Sequence, residues 1–254
     1  EYYWLELPFV YRIHETPDEE KLRTFATFLN NFGYSLHLTN HTIHPKELQK
    51  LLEKIEGTPE EALLSRLTLR SMKQAKYSTV NSGHFGLAAK YYTHFTSPIR
   101  RYPDLQIHRI IKDDLRGRLD KGGRIGKYSS ILQHVAEQSS AMEQRAAEAE
   151  REAVKLKKAE YMLEHVGEEY DGVISGVTGW GFYVELPNTV EGLVHIMTLK
   201  DDYYNFDEEN YRLVGEQHGR VFRLGEPVRV RVRNAEPANR TIDFTYVEKE
   251  TETE

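Results

Sequence analysis

Tyr170-Asp171-Gly172-Val173-Ile174-Ser175-Gly176-Val177-Thr178-Gly179-Trp180-Gly181-Phe182-Tyr183-Val184 leads into Glu191-Gly192-Leu193-Val194-His195-Ile196, and the reading of this run decides the fold. Apolar and polar residues alternate along it, the period of a strand with one buried face. Strands are expected over 170–177 and 181–186, joined by a tight glycine-containing turn, and over 192–196, 227–232 and 241–247. Five short strands with glycine punctuation and one longer connection suggest a small closed barrel of the OB-fold kind. The alternation puts Phe182, Val184 and Leu186 on the core face and turns Tyr183 outward. Trp180 sits in the turn, so Trp180, Tyr183 and His195 are candidates for an exposed platform, on which each stacked base is worth about 1–3 kcal/mol. Arg220, Arg223, Arg229, Arg231 and Arg233 offer phosphate contacts nearby.

Upstream of the barrel the period is helical. A long helix is expected from Tyr128 to His165, with a stripe of Ile131, Val135, Met142, Ala146, Ala149, Ala153, Leu156 and Met162. Its central alanines would let a neighbour approach closely. No glycine or proline interrupts it before Gly167, so the domain boundary is placed there: 1–166 mostly helical, 167–248 the barrel, 249–254 an acidic tail. Earlier helices are marked by their starts. Thr16-Pro17-Asp18-Glu19 opens one that runs to about Asn31, Pro45 opens a second that ends near Gly57, and the capping box Thr58-Pro59-Glu60-Glu61 opens a third carrying Leu63, Leu64, Leu67 and Met72. A further helix after Pro103 is expected to bury Leu105, Ile107, Ile110, Ile111 and Leu115. The fold class is therefore α+β, a helical part followed by a five-stranded barrel. The opening Glu1-Tyr2-Tyr3-Trp4 begins as if inside a strand or buried segment, which suggests a fragment of something longer.

Composition excludes several classes. There are no cysteines, so disulfides and thiolate zinc sites are absent. No apolar run reaches transmembrane length and no signal peptide opens the chain, so no membrane role is expected. The net charge is −6, which by itself argues against nucleic acid, but the distribution argues for it. Between Glu61 and Asp104 no acidic residue occurs, while Arg66, Arg70, Lys73, Lys76, Lys90, Arg100 and Arg101 do.

Inside that acid-free stretch lies His84-Phe85-Gly86-Leu87-Ala88-Ala89-Lys90-Tyr91-Tyr92-Thr93-His94-Phe95-Thr96-Ser97-Pro98-Ile99-Arg100-Arg101-Tyr102-Pro103-Asp104-Leu105-Gln106-Ile107-His108. Read physically, it is a phosphate site in a rigid frame. Arg100 and Arg101 are planar donors suited to bidentate contact with phosphate. Pro98 and Pro103 bracket them, Thr96 and Ser97 add hydroxyls, and Asp104 is placed to orient one guanidinium. Tyr91, Tyr92, Phe95 and Tyr102 are available to pack or to stack on bases. An arginine pair alone is more often a solvated surface or a set of structural salt bridges.

The whole string is more specific than the pair. It resembles the signature of the RNB family of exoribonucleases, RNase II and RNase R, in which His-Phe-Gly-Leu precedes Tyr-Thr-His-Phe-Thr-Ser-Pro-Ile-Arg-Arg-Tyr-Pro-Asp and a closing His. The resemblance continues at Met142-Glu143-Gln144-Arg145-Ala146-Ala147-Glu148-Ala149-Glu150-Arg151, at Asp202-Tyr203-Tyr204-Asn205-Phe206-Asp207 and at Arg212-Leu213-Val214-Gly215-Glu216, and it favours the RNase R branch. The barrel pattern Gly-x-Gly-Phe-x-Val with Gly-Leu-Val-His is similar to the S1 RNA-binding domain.

What the resemblance implies is processive hydrolysis of single-stranded RNA from its 3′ end to nucleoside 5′-monophosphates, with Mg2+ ions held by an aspartate cluster. Arg100 matches the family's catalytic arginine, which meets charge building on the scissile phosphate. Arg101, Ser97, Thr96, His84 and Tyr92 would be supporting RNA or phosphate contacts. Glu150 aligns with a glutamate that meets the RNA near its 3′ end, and equally suits an ordinary helix surface. The family's metal-binding aspartates lie upstream of this signature. Before His84 the sequence offers only Asp18, in a helix cap, while Asp113-Asp114 and Asp201-Asp202 read as solvated surface. The magnesium ligands are therefore expected upstream of this chain, and the chain alone is expected to be inactive. A cytoplasmic monomer is implied by resemblance. Two other readings stay open: a non-catalytic RNA-binding adaptor that kept the clamp and barrel, and a scaffold that binds protein through the long helix.

Overall fold

The computed structural model describes residues 7–30, 32–36, 43–58, 61–119, 122–208 and 210–248. Most of the extended start expected over residues 1–11, two residues of the capping box (Pro59 and Glu60) and the acidic tail at 249–254 lie outside the described residues.

The helical part begins with β1 (Tyr11–Ile13), then α1 (Glu19–Asn30), α2 (Pro45–Ile55) and α3 (Glu61–Ser71). Asp18 rather than Thr16 caps α1, its Oδ1 accepting from the Glu20 amide at 3.1 Å. β2 (Lys76–Ser78) pairs antiparallel with β1, and α4 (Tyr102–Leu115) and α5 (Arg124–Leu163) follow. The helix expected after Pro103 is present and buries Ile107 and Ile110, but Leu115, expected inside, is 79% exposed. It is the last residue of α4, where the chain already turns away. One core gathers Val10, Tyr77, Ile110, Leu119, Tyr128, Leu132 and Ala136.

α5 is buried at its two ends, through Tyr128, Leu132, Val135 and Ala136 and again through Ala159 and Met162. The expected stripe does not hold through the middle, where Met142, Ala146, Ala149 and Ala153 are exposed. The chain forms two compact units, Glu1–Gly57 with Ser65–Ala147 and Thr58–Leu64 with Glu148–Glu254. The division falls inside α5, ahead of the glycine that marked the boundary in the sequence. Among the described residues no helix is long and apolar enough to cross a membrane.

The second unit carries β3 (Glu169–Thr178), β4 (Gly181–Glu185), β5 (Glu191–His195), β6 (Tyr204–Asp207), β7 (Arg212–Gly215), β8 (Val221–Arg223), β9 (Pro227–Glu236) and β10 (Thr241–Val247). β10, β5, β4, β3 and β9 close into a barrel in that order, the five strands expected from the alternation. Every seam is antiparallel except β10 against β5, which is parallel with Asp243 opposite Leu193 and Phe244 opposite Val194. Phe182, Val184, Val194, Val230 and Phe244 fill the interior, each 1% exposed or less.

The longer connection between β5 and β9 is not a simple loop. It holds a three-stranded antiparallel sheet, β6-β7-β8, whose Phe222 stacks on Phe182 at 4.7 Å between ring centroids. Asp202, expected on solvated surface, organises this segment. Its carboxylate accepts backbone N–H bonds from Tyr203 at 2.7 Å, Gln217 at 3.0 Å and His218 at 2.7 Å. The amide of His218 foremost holds the carboxyl below its ordinary range. Asp201 accepts from the Tyr204 hydroxyl at 2.6 Å. Asp113 departs from expectation in the same way: it is buried and accepts from Arg124 Nη1 at 2.5 Å and the Tyr128 hydroxyl at 2.9 Å, tying α4 to the start of α5.

Candidate nucleic-acid interface

The arginine pair sits on a closed turn leading into α4. The amides of Arg100 and Arg101 both donate to the Ser97 carbonyl, at 3.2 and 3.0 Å. Asp104, in the first turn of α4 and wholly buried, locks this turn from below. Its Oδ2 accepts from the Ser97 amide at 2.8 Å and from Arg101 Nε and Nη2 at 3.2 and 2.9 Å. Arg101 is thus the guanidinium that Asp104 orients, only 20% of its side chain being exposed. Arg100 is exposed, and among the described residues its guanidinium has no partner. Pro98 is half-buried and the adjacent Ile99 is 98% exposed, so the turn projects into solvent. One arginine therefore frames the turn and the other is presented. Removing the clamp by Asp104→Ala strands a buried amide and a mostly buried guanidinium. The expected loss is about 3–5 kcal/mol of stability in this unit, read by urea denaturation. Wild-type stability in that variant would show that the turn holds itself.

Behind the turn runs a ladder of rings that the sequence did not foreshadow. His14 meets His84 at 5.1 Å, His84 meets Tyr92 at 5.0 Å, Tyr92 meets His94 at 5.8 Å and His94 meets Tyr77 at 5.6 Å, each edge to face. Arg12 lies 4.8 Å over the Tyr77 ring and grips Glu143 of α5 through two hydrogen bonds, at 2.5 and 2.9 Å. His14 has one tautomer that satisfies both its contacts: Nδ1 accepts from the Gly86 amide at 3.0 Å, so Nε2 carries the proton donated to the Lys73 carbonyl at 2.7 Å. Burial foremost, then the facing His14 and Arg12, pushes His84 below its ordinary value. Burial, then Arg101 and Arg12, does the same to His94. Both shifts favour the neutral ring, and among the described residues the buried Nδ1 of His84 has no partner. Arg12 and His14 were missed because their partners are remote in sequence and nothing local marks them.

These contacts place the first group of expected site residues. His84 and Tyr92 belong to the ring ladder, packed beside the turn. Thr96 is exposed and Ser97 half-buried on the turn itself. Phe95, a candidate for base stacking, is already stacked on His108 at 4.3 Å, whose Nε2 donates to the Phe95 carbonyl at 2.8 Å. A cleft of about 1110 Å³ opens nearby, lined by His14, His44, Lys46, Asn81, His84 and Lys90 among others. Arg100 is not among its lining residues. Among the described residues no group of three or more His, Asp or Glu converges as metal ligands would. Among the described residues the carboxylates do not fit a magnesium site: no three converge, Asp18 is spent on a helix cap and Asp104 on Arg101.

In the second unit, Tyr183 and His195 share the outer face of β4 and β5. Gly181 stands opposite His195 and Tyr183 opposite Leu193. The Tyr183 ring lies over Gly176 of β3, where an added Cβ would stand 3.5 Å from it. Trp180 is 54% exposed in the turn. His195 Nδ1 is occupied by the Met197 amide at 3.2 Å, and among the described residues no ring contact joins Trp180, Tyr183 and His195. Glu150 is exposed on α5, on the rim of a groove of about 530 Å³ that includes Val154, Tyr161 and Val190.

Residues 2–117 match the RNB domain and residues 164–246 the S1 RNA binding domain. Ribonuclease R 1 of Lactococcus lactis is 50% identical over 244 residues, which is 96% of this chain and 30% of that protein. The solved structure of Mycoplasma genitalium RNase R in complex with ribose methylated single-stranded RNA superposes with a TM-score of 0.89 at 24% identity, covering 95% of this chain and 38% of that one. Yeast Ssd1, described as a pseudonuclease, superposes at 0.67 and 25% identity over 85% of this chain and 27% of its own. The chain spans about a third of the length of the curated relatives it matches. An RNB region followed by an S1 domain, along a chain whose curated relatives are ribonuclease R proteins over nearly its whole length, shows that this protein belongs to the RNB family, beside ribonuclease R.

Proposed function

We propose that the protein is the RNA-gripping part of a 3′→5′ exoribonuclease that degrades single-stranded RNA processively to nucleoside 5′-monophosphates. The observation that carries this reading is the Asp104-locked turn, which spends Arg101 on the frame and leaves Arg100 exposed and, among the described residues, unpartnered. Such a guanidinium suits the charge that develops on a phosphate during cleavage. Arg100 is the catalytic arginine in this reading. Arg101, Ser97, Thr96, His84, Tyr92 and Glu150 shape the RNA path, and Trp180, Tyr183 and His195 hold RNA on the barrel, taken as residues 167–248. Mg2+ would be held by carboxylates upstream of this chain, in a protein acting as a cytoplasmic monomer.

A second reading is a non-catalytic RNA-binding adaptor. The lack of a converging carboxylate cluster among the described residues is expected on both readings. Degradation of a 5′-labelled single-stranded RNA with magnesium, with binding followed in parallel, separates the readings. This chain should bind without degrading, and the same chain extended to the length of its relatives should degrade. Binding by both with degradation by neither would establish the adaptor. EDTA-sensitive degradation by this chain alone would place a metal site on it.

A further inference from the structure

Arg220, Arg223, Arg229, Arg231 and Arg233, the arginines that offer phosphate contacts on the barrel, are not equivalent. Glu169 of β3 accepts from Arg229 Nε at 2.9 Å and from Arg231 Nη2 at 2.5 Å, and Asp171 reaches Arg229 Nη1 at 3.5 Å. The cationic strand β9 is thereby largely neutralised by its own neighbour. Arg223 and Arg233 are exposed side chains on long, free stems. Arg220 is held differently. Its Cζ lies 4.7 Å from the centroid of Phe222 and 4.7 Å from that of Tyr246, and Nη2 donates to the Tyr246 hydroxyl at 2.5 Å. Nε is buried without an acceptor, and among the described residues no carboxylate stands within ion-pair distance. The carboxylate of Asp201 is occupied by the Tyr204 hydroxyl.

Register locates this cation. β10 runs parallel to β5, with Phe244 opposite Val194, so Tyr246 lies two residues on, toward the end of the barrel where His195 faces Gly181. Phe222, under the guanidinium, stacks on Phe182, the residue next to Gly181. Arg220 therefore belongs to the end of the barrel that carries Trp180 and His195. Among the described residues it is a positive charge with a fixed plane and no carboxylate in ion-pair contact, at the barrel end that carries the exposed Trp180. A guanidinium ordered in advance gives up little freedom when an anion arrives, unlike the free stems of Arg223 and Arg233.

We propose that Arg220, seated between Phe222 and Tyr246, is a phosphate contact through which the barrel holds the backbone of single-stranded RNA. The proposal rests on the reading of the chain as RNA-binding. The experiment is fluorescence anisotropy of a 5′-labelled oligouridylate with the full chain across a salt series, with thermal unfolding recorded for each variant. Arg220→Met should lower affinity about five- to tenfold at low salt and flatten the plot of log affinity against log salt by about 0.7, the share of one phosphate on a single strand. Arg220→Lys should keep the slope and lose part of the affinity. Tyr246→Leu, which frees the guanidinium without removing its charge, should behave as Arg220→Lys does. Should the methionine variant lose its fold, Arg220→Gln replaces it with the same expectation. A folded neutral variant with wild-type affinity and slope would overturn the proposal and leave Arg220 a staple between β8 and β10. No binding by the wild-type chain would instead overturn the RNA reading, and this contact with it.

Discussion

Gly181→Ala is expected to cost the barrel roughly 3–5 kcal/mol, summing backbone strain and overpacking. Gly181 has φ +145°, a conformation that side-chain-bearing residues rarely adopt. An added Cβ would stand 2.1 Å from the Val194 carbonyl oxygen and 3.0 Å from both His195 Cα and Ile196 N. All three are backbone atoms of β5 and the turn after it, so no side chain can swing aside. Relief requires separating β4 from β5 where Gly181 faces His195 and where the Ile196 amide donates to the Trp180 carbonyl at 2.8 Å. Since whole domains are stable by only about 5–15 kcal/mol, such a loss removes much of the margin. Urea titration followed by tryptophan fluorescence measures it, with Trp180 next to the site. Gly179→Ala is the control, because its added Cβ would meet only a Phe206 ring carbon at 4.0 Å. A Gly181→Ala variant within about 1 kcal/mol of wild type, the ordinary effect of a point substitution, would mean that the turn relaxes freely.

The second large effect is functional. In the chain extended to the length of its relatives, Arg100→Ala should lower the rate of RNA hydrolysis by about 10²–10³, the usual cost of removing a group that meets transition-state charge. RNA affinity should change by no more than about threefold, because phosphate binding is shared among many cations and no single one dominates it. The asymmetry follows from the turn: among the described residues the Arg100 side chain has no partner, whereas that of Arg101 is tied to Asp104. Arg100→Lys should recover little, since an ammonium lacks the planar fork. Single-turnover cleavage and equilibrium binding on the same RNA separate the two quantities. Equal losses in both would reduce Arg100 to a binding residue.

The five barrel strands were legible because one buried face imposes a period of two, and Phe182, Val184 and Leu186 fall where the alternation put them. The β6-β7-β8 sheet was not. Its strands are three or four residues long, too short for a period to show, and Asp202 joins them through backbone amides that no side-chain pattern reports. The arginine turn could be read at the level of Asp104, because the partners are close in sequence. The ring ladder could not, since Arg12 and Glu143 stand 131 positions apart. The middle of α5 misled for a further reason. Alanines at helical spacing promise a neighbour, but spacing alone does not say whether one is there, and here Ala146, Ala149 and Ala153 are exposed.

The seam between β10 and β5 has a consequence for how the barrel comes apart. It is parallel and pairs two positions, against seven between β10 and β9 and five between β4 and β5. Closure is what removes free edges from a β-fold, so the weakest seam decides how often an edge appears. Amide hydrogens along that seam should exchange with solvent through local opening, ahead of those between β9 and β10. Each such opening bares the backbone of β5 beside Gly192 and Val194, a short template for pairing with another copy. Self-association of this protein would then follow the breathing of one seam, well before the domain unfolds.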